Sequence, residues 1–227
     1  MAPGIMYVLT KPHTPYLSLE NYNKWYTEAH IEDAISCGLA DLAIRYKNTN
    51  PDAKWPYLCV YRLPDLEKLS DEKLMGSIPT KHELLPDGKS WSEVMDAKGS
   101  AYRVLQKFEG WGEKEGPRGK ALRTVMVEPA EGGEEEFDEW YRKQHLDMLS
   151  MVTGFRRSTR YQLVEKELSG EPRFLACHEY ETTDFPVEEI KRVTGTEWSK
   201  KMFAGFKSFE GEVWEVIAQA GKVEEKL

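Results

Sequence analysis

Two six-residue stretches, WYTEAH at residues 25–30 and WYRKQH at residues 140–145, decide how the whole chain is read. They share Trp-Tyr-x-x-x-His while the intervening residues differ, and they lie 115 residues apart. Self-similarity at that separation is too long for a solenoid and marks two related domains. Other pairs fall at the same offset: Tyr22 with Phe137, Arg45 with Arg160, and Tyr46 with Tyr161. Farther along, small gaps shift the register but the likeness persists. PYLCVYR (56–62) lies against PRFLACHE (172–179), and GKSWSEVM (88–95) against GTEWSKKM (195–202), which share G-x-x-W-S-x-x-M.

Each copy predicts the same order of elements. In the first, GIMYVLTK (4–11) is a short apolar run that reads as a strand. SLENYNKWYTEAHIEDAIS (18–36) carries aromatic and apolar residues at helical spacing behind a plausible Ser18 cap. LADLAIRYK (39–47) and WPYLCVYRL (55–63) alternate with period two and read as strands. A broken helix over 65–75 and 90–97 precedes a last strand at 101–109. The second copy repeats this with a strand at 122–129, a helix at 134–152, strands at 155–164 and 173–181, a helix around 187–203 and a strand at 210–219. The expected order is βαββαβ twice. The fold class that follows is α+β, with tandem ferredoxin-like repeats whose antiparallel sheets pack into an intramolecular α/β barrel. The expected halves are residues 1–109 and 121–221, joined by a Gly-rich, charged linker at 110–120 and followed by a tail at 222–227.

Composition narrows the function. The 227 residues are 40% hydrophobic with 11 Tyr and 7 Trp, so a substantial core is available. Thirty-nine acidic residues against 31 basic ones give a net charge of −8, which disfavours nucleic acid and anionic membranes as partners. Cys37, Cys59 and Cys177 stand apart, without CxxC or zinc spacing, and read as free thiols of a cytoplasmic protein. No apolar run approaches the roughly 18 residues of a membrane-crossing helix. Dinucleotide, phosphate-loop and nucleophile-elbow motifs are missing, as is any local metal-ligand cluster, so the expectation is no cofactor and no metal.

The doubled βαββαβ plan with F/Y-x-x-W-Y-x-x-x-H on the first helix of each half resembles the dimeric α/β-barrel superfamily. More narrowly, it resembles the two-repeat EthD-domain proteins often found in fungi. Members commonly place Gly-Pro after the His and Glu before it, where this chain has Ile31-Glu32 and Leu146-Asp147, and Ala29 and Gln144. The resemblance implies chemistry from a wide menu that includes cofactor-free monooxygenases, cyclases, decarboxylases, dehydratases, isomerases and some haem enzymes. A fused barrel needs no partner, yet tethered copies could still form a homodimer through their outer helices.

On a regular helix Tyr26 lies one turn from His30, and Tyr141 from His145. An imidazole beside a phenol at the border of an apolar core can move a proton next to a carbonyl while the phenol stabilises the enolate. His30, His145, Tyr26 and Tyr141 are therefore the catalytic candidates. Tyr46, Tyr161, Tyr61, His178, Trp25 and Trp140 are candidates for lining the substrate site. Trp25 and Trp140 read first as plain core, His178 as a partly exposed strand residue, and Arg45 and Arg160 as surface ion pairs that could instead bind a carboxylate. His13 and His82 read as solvated. The leading expectation is a cofactor-independent enzyme of secondary metabolism. It would carry out cyclisation, dehydration, decarboxylation or isomerisation on a small aromatic or polyketide-like carbonyl compound. A cofactor-free monooxygenase acting on a phenol or anthrone is one alternative. A non-catalytic, hydrophobic-ligand-binding or stress-associated barrel is the other.

Overall fold

The computed structural model describes residues 2–112, 114–164 and 171–227. Glu113, inside the expected linker, lies outside the described residues. Strand β1 (Gly4–Pro12) leads to Ser18, whose hydroxyl accepts a hydrogen bond from the Asn21 amide and so caps α1 (Leu19–Trp25). The helix does not continue regularly. A π turn over Tyr26–His30 separates α1 from α2 (Ile31–Ser36), and the Ile31 amide donates to the Tyr26 carbonyl five residues back. Strands β2 (Leu42–Asn48) and β3 (Tyr57–Leu63) follow, then the short helices α3 (Glu72–Gly76) and α4 (Trp91–Val94), then β4 (Met95–Glu109).

The second half repeats the plan. Strand β5 (Ala121–Glu128) leads to α5 (Glu134–Trp140), a second π turn over Tyr141–His145, and α6 (Leu146–Ser150). Then come β6 (Phe155–Leu163), β7 (Phe174–Tyr180), α7 (Val187–Thr194), α8 (Glu197–Gly205) and β8 (Ser208–Gly221). The single long helix expected in each copy is thus α-π-α. One inserted residue shifts the phase of everything beyond it, which helical spacing alone does not reveal.

Within the first half β3 pairs antiparallel with β1 and β2, and β1 pairs with β4. In the second, β7 pairs with β5 and β6, and β5 pairs with β8. Both have the ferredoxin-like order with the first and third strands central. The eight strands run β1-β3-β2-β8-β5-β7-β6-β4 in a closed antiparallel barrel, the α+β class that the repeats imply. Two compact units result, one of residues 1–103 and 216–227, the other of 104–215.

Each unit buries one helical face against alternate residues of its sheet. In the first, Tyr22, Trp25, Tyr26 and Ile31 pack with Tyr57, Cys59 and Tyr61 of β3. In the second, Phe137, Trp140, Tyr141 and Leu146 pack with Val125, Val127 and Ala176. A buried Trp removes roughly 200 Å² from water, worth about 5 kcal/mol before entropic costs. The aromatic stripe read from the sequence is therefore the main adhesive between helix and sheet.

The chain between β4 and β5 is held by arginines of β6. Arg156 donates to the carbonyls of Glu115 and Gly116 at 2.8 Å each, and Arg157 donates to Pro117 at 2.5 Å. Gly119 then passes so close to β7 that a Cβ there would sit 1.9 Å from the Tyr180 carbonyl oxygen. Backbone cannot yield as a side chain can. Gly119→Ala is expected to destabilise the protein by about 1–3 kcal/mol, read as a lower Tm in thermal unfolding. An unchanged Tm would contradict this close approach.

Candidate active site

The extra residue in the π turn decides what the histidine touches. On an α-helix, positions five apart point in different directions. The added residue brings them onto one face, so His30 stacks on Trp25 with ring centroids 4.8 Å apart and planes 26° apart. His145 stacks on Trp140 at 4.0 Å and 22°. Each tyrosine meets its histidine edge-on, Tyr26–His30 at 4.9 Å and Tyr141–His145 at 5.0 Å. The expected tyrosine–histidine neighbourhood exists, but the flat contact belongs to the tryptophan.

Strand side chains alternate, and this sorts the remaining candidates. Arg45 of β2 faces the helices. It is buried, donates to Thr27 Oγ1 (2.5 Å) and to the Asn23 carbonyl (3.2 Å) and Oδ1 (3.1 Å), and lies 4.4 Å over the Tyr26 ring. Arg160 of β6 does the same for Tyr141 at 4.1 Å, with Asp138 (2.9 Å) and Gln106 (2.8 Å) as partners. The expectation that both are surface ion pairs is therefore corrected. Their aliphatic stems and flat heads fit under the helix, and each clamps a tyrosine ring.

Tyr46 and Tyr161 sit next to these arginines and so lie on the other face of their strands. Neither is among the residues lining the two larger hollows described below, and Tyr161 borders a void of about 10 Å³. The expectation of a partly exposed His178 is corrected. It is buried rather than partly exposed, because it faces the helices, and its Nδ1 lies 2.5 Å from Ser158 Oγ. His13 is exposed and meets Asp96 at 2.9 Å, while His82 Nδ1 accepts from the Leu84 amide at 3.1 Å.

Both units contain a hollow between helix and sheet, of unequal size. The first is about 170 Å³, lined by Trp25, Tyr26, His30 and Tyr61 and closed by residues such as Met75 and Trp91. Trp91 was not among the sequence candidates, although the shared G-x-x-W-S-x-x-M motif marks it. The second is about 50 Å³, lined by Trp140, Tyr141, His145 and His178 and narrowed by Phe203, Phe206 and Phe209. The equivalent positions Tyr61 and His178 thus occupy corresponding places, and the exchange of phenol for imidazole changes what each hollow presents.

Burial sets the protonation states. His30 is pushed down to about 4, chiefly by loss of water and secondarily by the Arg45 charge. Its Nδ1 is buried without a hydrogen-bond partner among the described residues. His145 is held well below the usual range by burial, then by His178 and Arg160, and burial takes His178 down to about 3. All three are therefore neutral at pH 7. Tyr26 and Tyr61 are held well above 10 by burial, and the Tyr61 hydroxyl donates to that of Tyr26 at 3.3 Å. The pair therefore stays protonated at pH 7.

A buried histidine whose proton affinity is lowered on folding destabilises the fold in acid. Between pH 6.5 and about 4 the unfolded chain binds the proton that folded His30 refuses, so stability falls as pH drops through that window. Each such histidine contributes a slope of up to about 1.4 kcal/mol per pH unit. Thermal melts between pH 6.5 and 5 are expected to fall less steeply for His30→Gln than for the parent protein. Parallel profiles would show that His30 is not held neutral.

No family model matches the chain. Core atranone cluster (CAC) protein 1 of Stachybotrys chlorohalonatus (strain IBT 40285) is 31% identical over 226 residues, spanning 96% of this chain and 92% of that protein. Among solved structures, an anthrone oxidase-like protein matches with TM-score 0.59 at 14% identity, over 100% of this chain and 95% of its own. A chlorite dismutase variant from Candidatus Nitrospira defluvii matches with TM-score 0.62 at 7% identity, over 96% and 92%. At those identities the structural likenesses establish the barrel fold and leave the chemistry open. The sequence match is of another order, and it is the one that assigns kinship: this chain belongs to the same family as core atranone cluster protein 1.

Proposed function

We propose that the protein is a cofactor-independent, EthD-like enzyme of fungal secondary metabolism that performs proton-transfer chemistry on a small carbonyl compound in the hollow of the first unit. The observation that carries this reading is the company His30 keeps. A neutral imidazole and a protonated tyrosine pair border one largely apolar hollow of about 170 Å³. A cavity of roughly 150 Å³ holds one benzene-sized ring, so the enclosed part of the substrate is about one substituted ring. Kinship with a protein named for a core atranone cluster supports the metabolic setting.

In this reading the substrate carbonyl oxygen accepts a hydrogen bond from Tyr26, whose own oxygen is supported by Tyr61. Neutral His30 removes the proton from the adjacent carbon, and the tyrosine hydrogen bond stabilises the enolate as charge moves onto oxygen. The imidazolium formed is disfavoured by the dry surroundings and by Arg45. That imbalance returns the proton readily to another atom of the substrate, which suits isomerisation, dehydration and cyclisation. It also selects substrates whose proton is already acidic, such as those flanked by two carbonyls.

A second reading, cofactor-free oxygenation of a phenol or anthrone, uses the same base to generate a substrate anion that reacts with oxygen. The dry hollow beside His30 favours it as well. Oxygen consumption accompanying turnover separates the two.

The test pairs His30→Ala with Tyr26→Phe, each checked for native circular dichroism. Each is expected to lower kcat by about 10²–10⁴ on the native substrate. Full turnover in both folded variants would remove this mechanism.

A further inference from the structure

The small hollow of the second unit differs from the first in charge as well as in volume. Arg123 of β5 is registered directly opposite His178 of β7, so the two side chains share the sheet face that lines this hollow. The Arg123 side chain makes no hydrogen bond or ion pair with any described residue, whereas Arg156, Arg157, Arg160 and Arg173 of the same unit each have a carboxylate partner. An unpaired guanidinium in a half-buried position, in a chain of net charge −8, calls for an explanation.

The neighbours supply one. His178 is held by Ser158 through Nδ1, which fixes the ring and leaves its other nitrogen to face elsewhere. His145 borders the same hollow with its ring 6.5 Å from that of His178, and its Nδ1 is buried without a partner. Tyr180, two residues along the same face of β7, completes the polar lining together with Tyr141 and Thr194. With both imidazoles neutral, the one fixed charge that the described residues bring to the lining of the hollow is that of Arg123. A volume of about 50 Å³ is room for roughly two waters, the size of a carboxylate head. Around it lie Phe203, Phe206 and Phe209, with Phe203 and Phe209 exposed at 37% and 46%. Exposed aromatic rings bordering a cationic hollow make a shelf for an apolar tail.

We infer that the second unit binds a monocarboxylate, its head between Arg123 and the two histidines and its hydrocarbon tail on the phenylalanine shelf. Guanidinium and carboxylate match in shape as two parallel hydrogen bonds, and the neutral imidazoles add donors without raising the charge. The occupant is a small organic acid, free or as the acid end of a larger metabolite. This site stands apart from the hollow around His30, and its occupancy is read without turnover.

Calorimetric titration of the intact protein with acetate, hexanoate and hexanol tests the inference. Hexanoate is expected to bind saturably, about tenfold or more tighter than acetate because its tail meets the shelf. Arg123→Gln is expected to weaken hexanoate about tenfold or more. Acetate binding as tightly as hexanoate points to a free small anion and overturns the shelf. Hexanoate indifferent to Arg123→Gln, or no saturable binding, overturns the site. Should Arg123→Gln fold poorly, hexanol decides in the parent protein. A tail without charge is expected to bind at least about tenfold more weakly than hexanoate, and equal affinity overturns the inference.

Discussion

One extra residue in a helix turn governs this structure. Trp-Tyr-x-x-x-His on a regular α-helix would send tryptophan and histidine to different sides. The π turn closes a ring one residue wider and lays the imidazole flat on the indole. The stack removes the histidine from water, which empties it of charge. It also turns its edge to the adjacent tyrosine, which is pinned from beneath by an arginine of the second strand. Three of the four pieces come from one helix, and the fourth from a strand that the repeat keeps in step. The assembly therefore recurs in both units even though the intervening residues have changed.

This constraint explains what was legible in the sequence. The repeat, the βαββαβ order and the aromatic stripe all follow from periodicity, and periodicity survives substitution. The helix over 18–36 was visible for the same reason. Its π turn was not, because an added residue changes phase without changing composition, and only hydrogen bonding from Ile31 to Tyr26 reveals it. Tyr46 and Tyr161 illustrate a second limit. They match between copies as faithfully as Arg45 and Arg160 do, yet strand alternation sends them to the opposite face. Repetition marks a position as constrained and does not say by what.

The arginines and histidines show a third limit. A charged residue on a strand is ordinarily assigned to the surface, and both arginines are buried, since their partners lie on a helix twenty-odd residues away. Likewise, the charge state of His30 depends on how much water the fold removes, which no local pattern encodes. Trp91 was legible in principle through its shared motif. It became a wall of the first hollow because α4 ends where β4 begins.

The space of about 170 Å³ in the first unit is wide enough for a ring, whereas the second, with Phe203, Phe206 and Phe209 in its lining, keeps about 50 Å³, room for no more than a small polar head. Two units built on one plan thus differ in what each can admit, and the difference is set by the side chains lining each hollow rather than by the backbone that the repeat preserves.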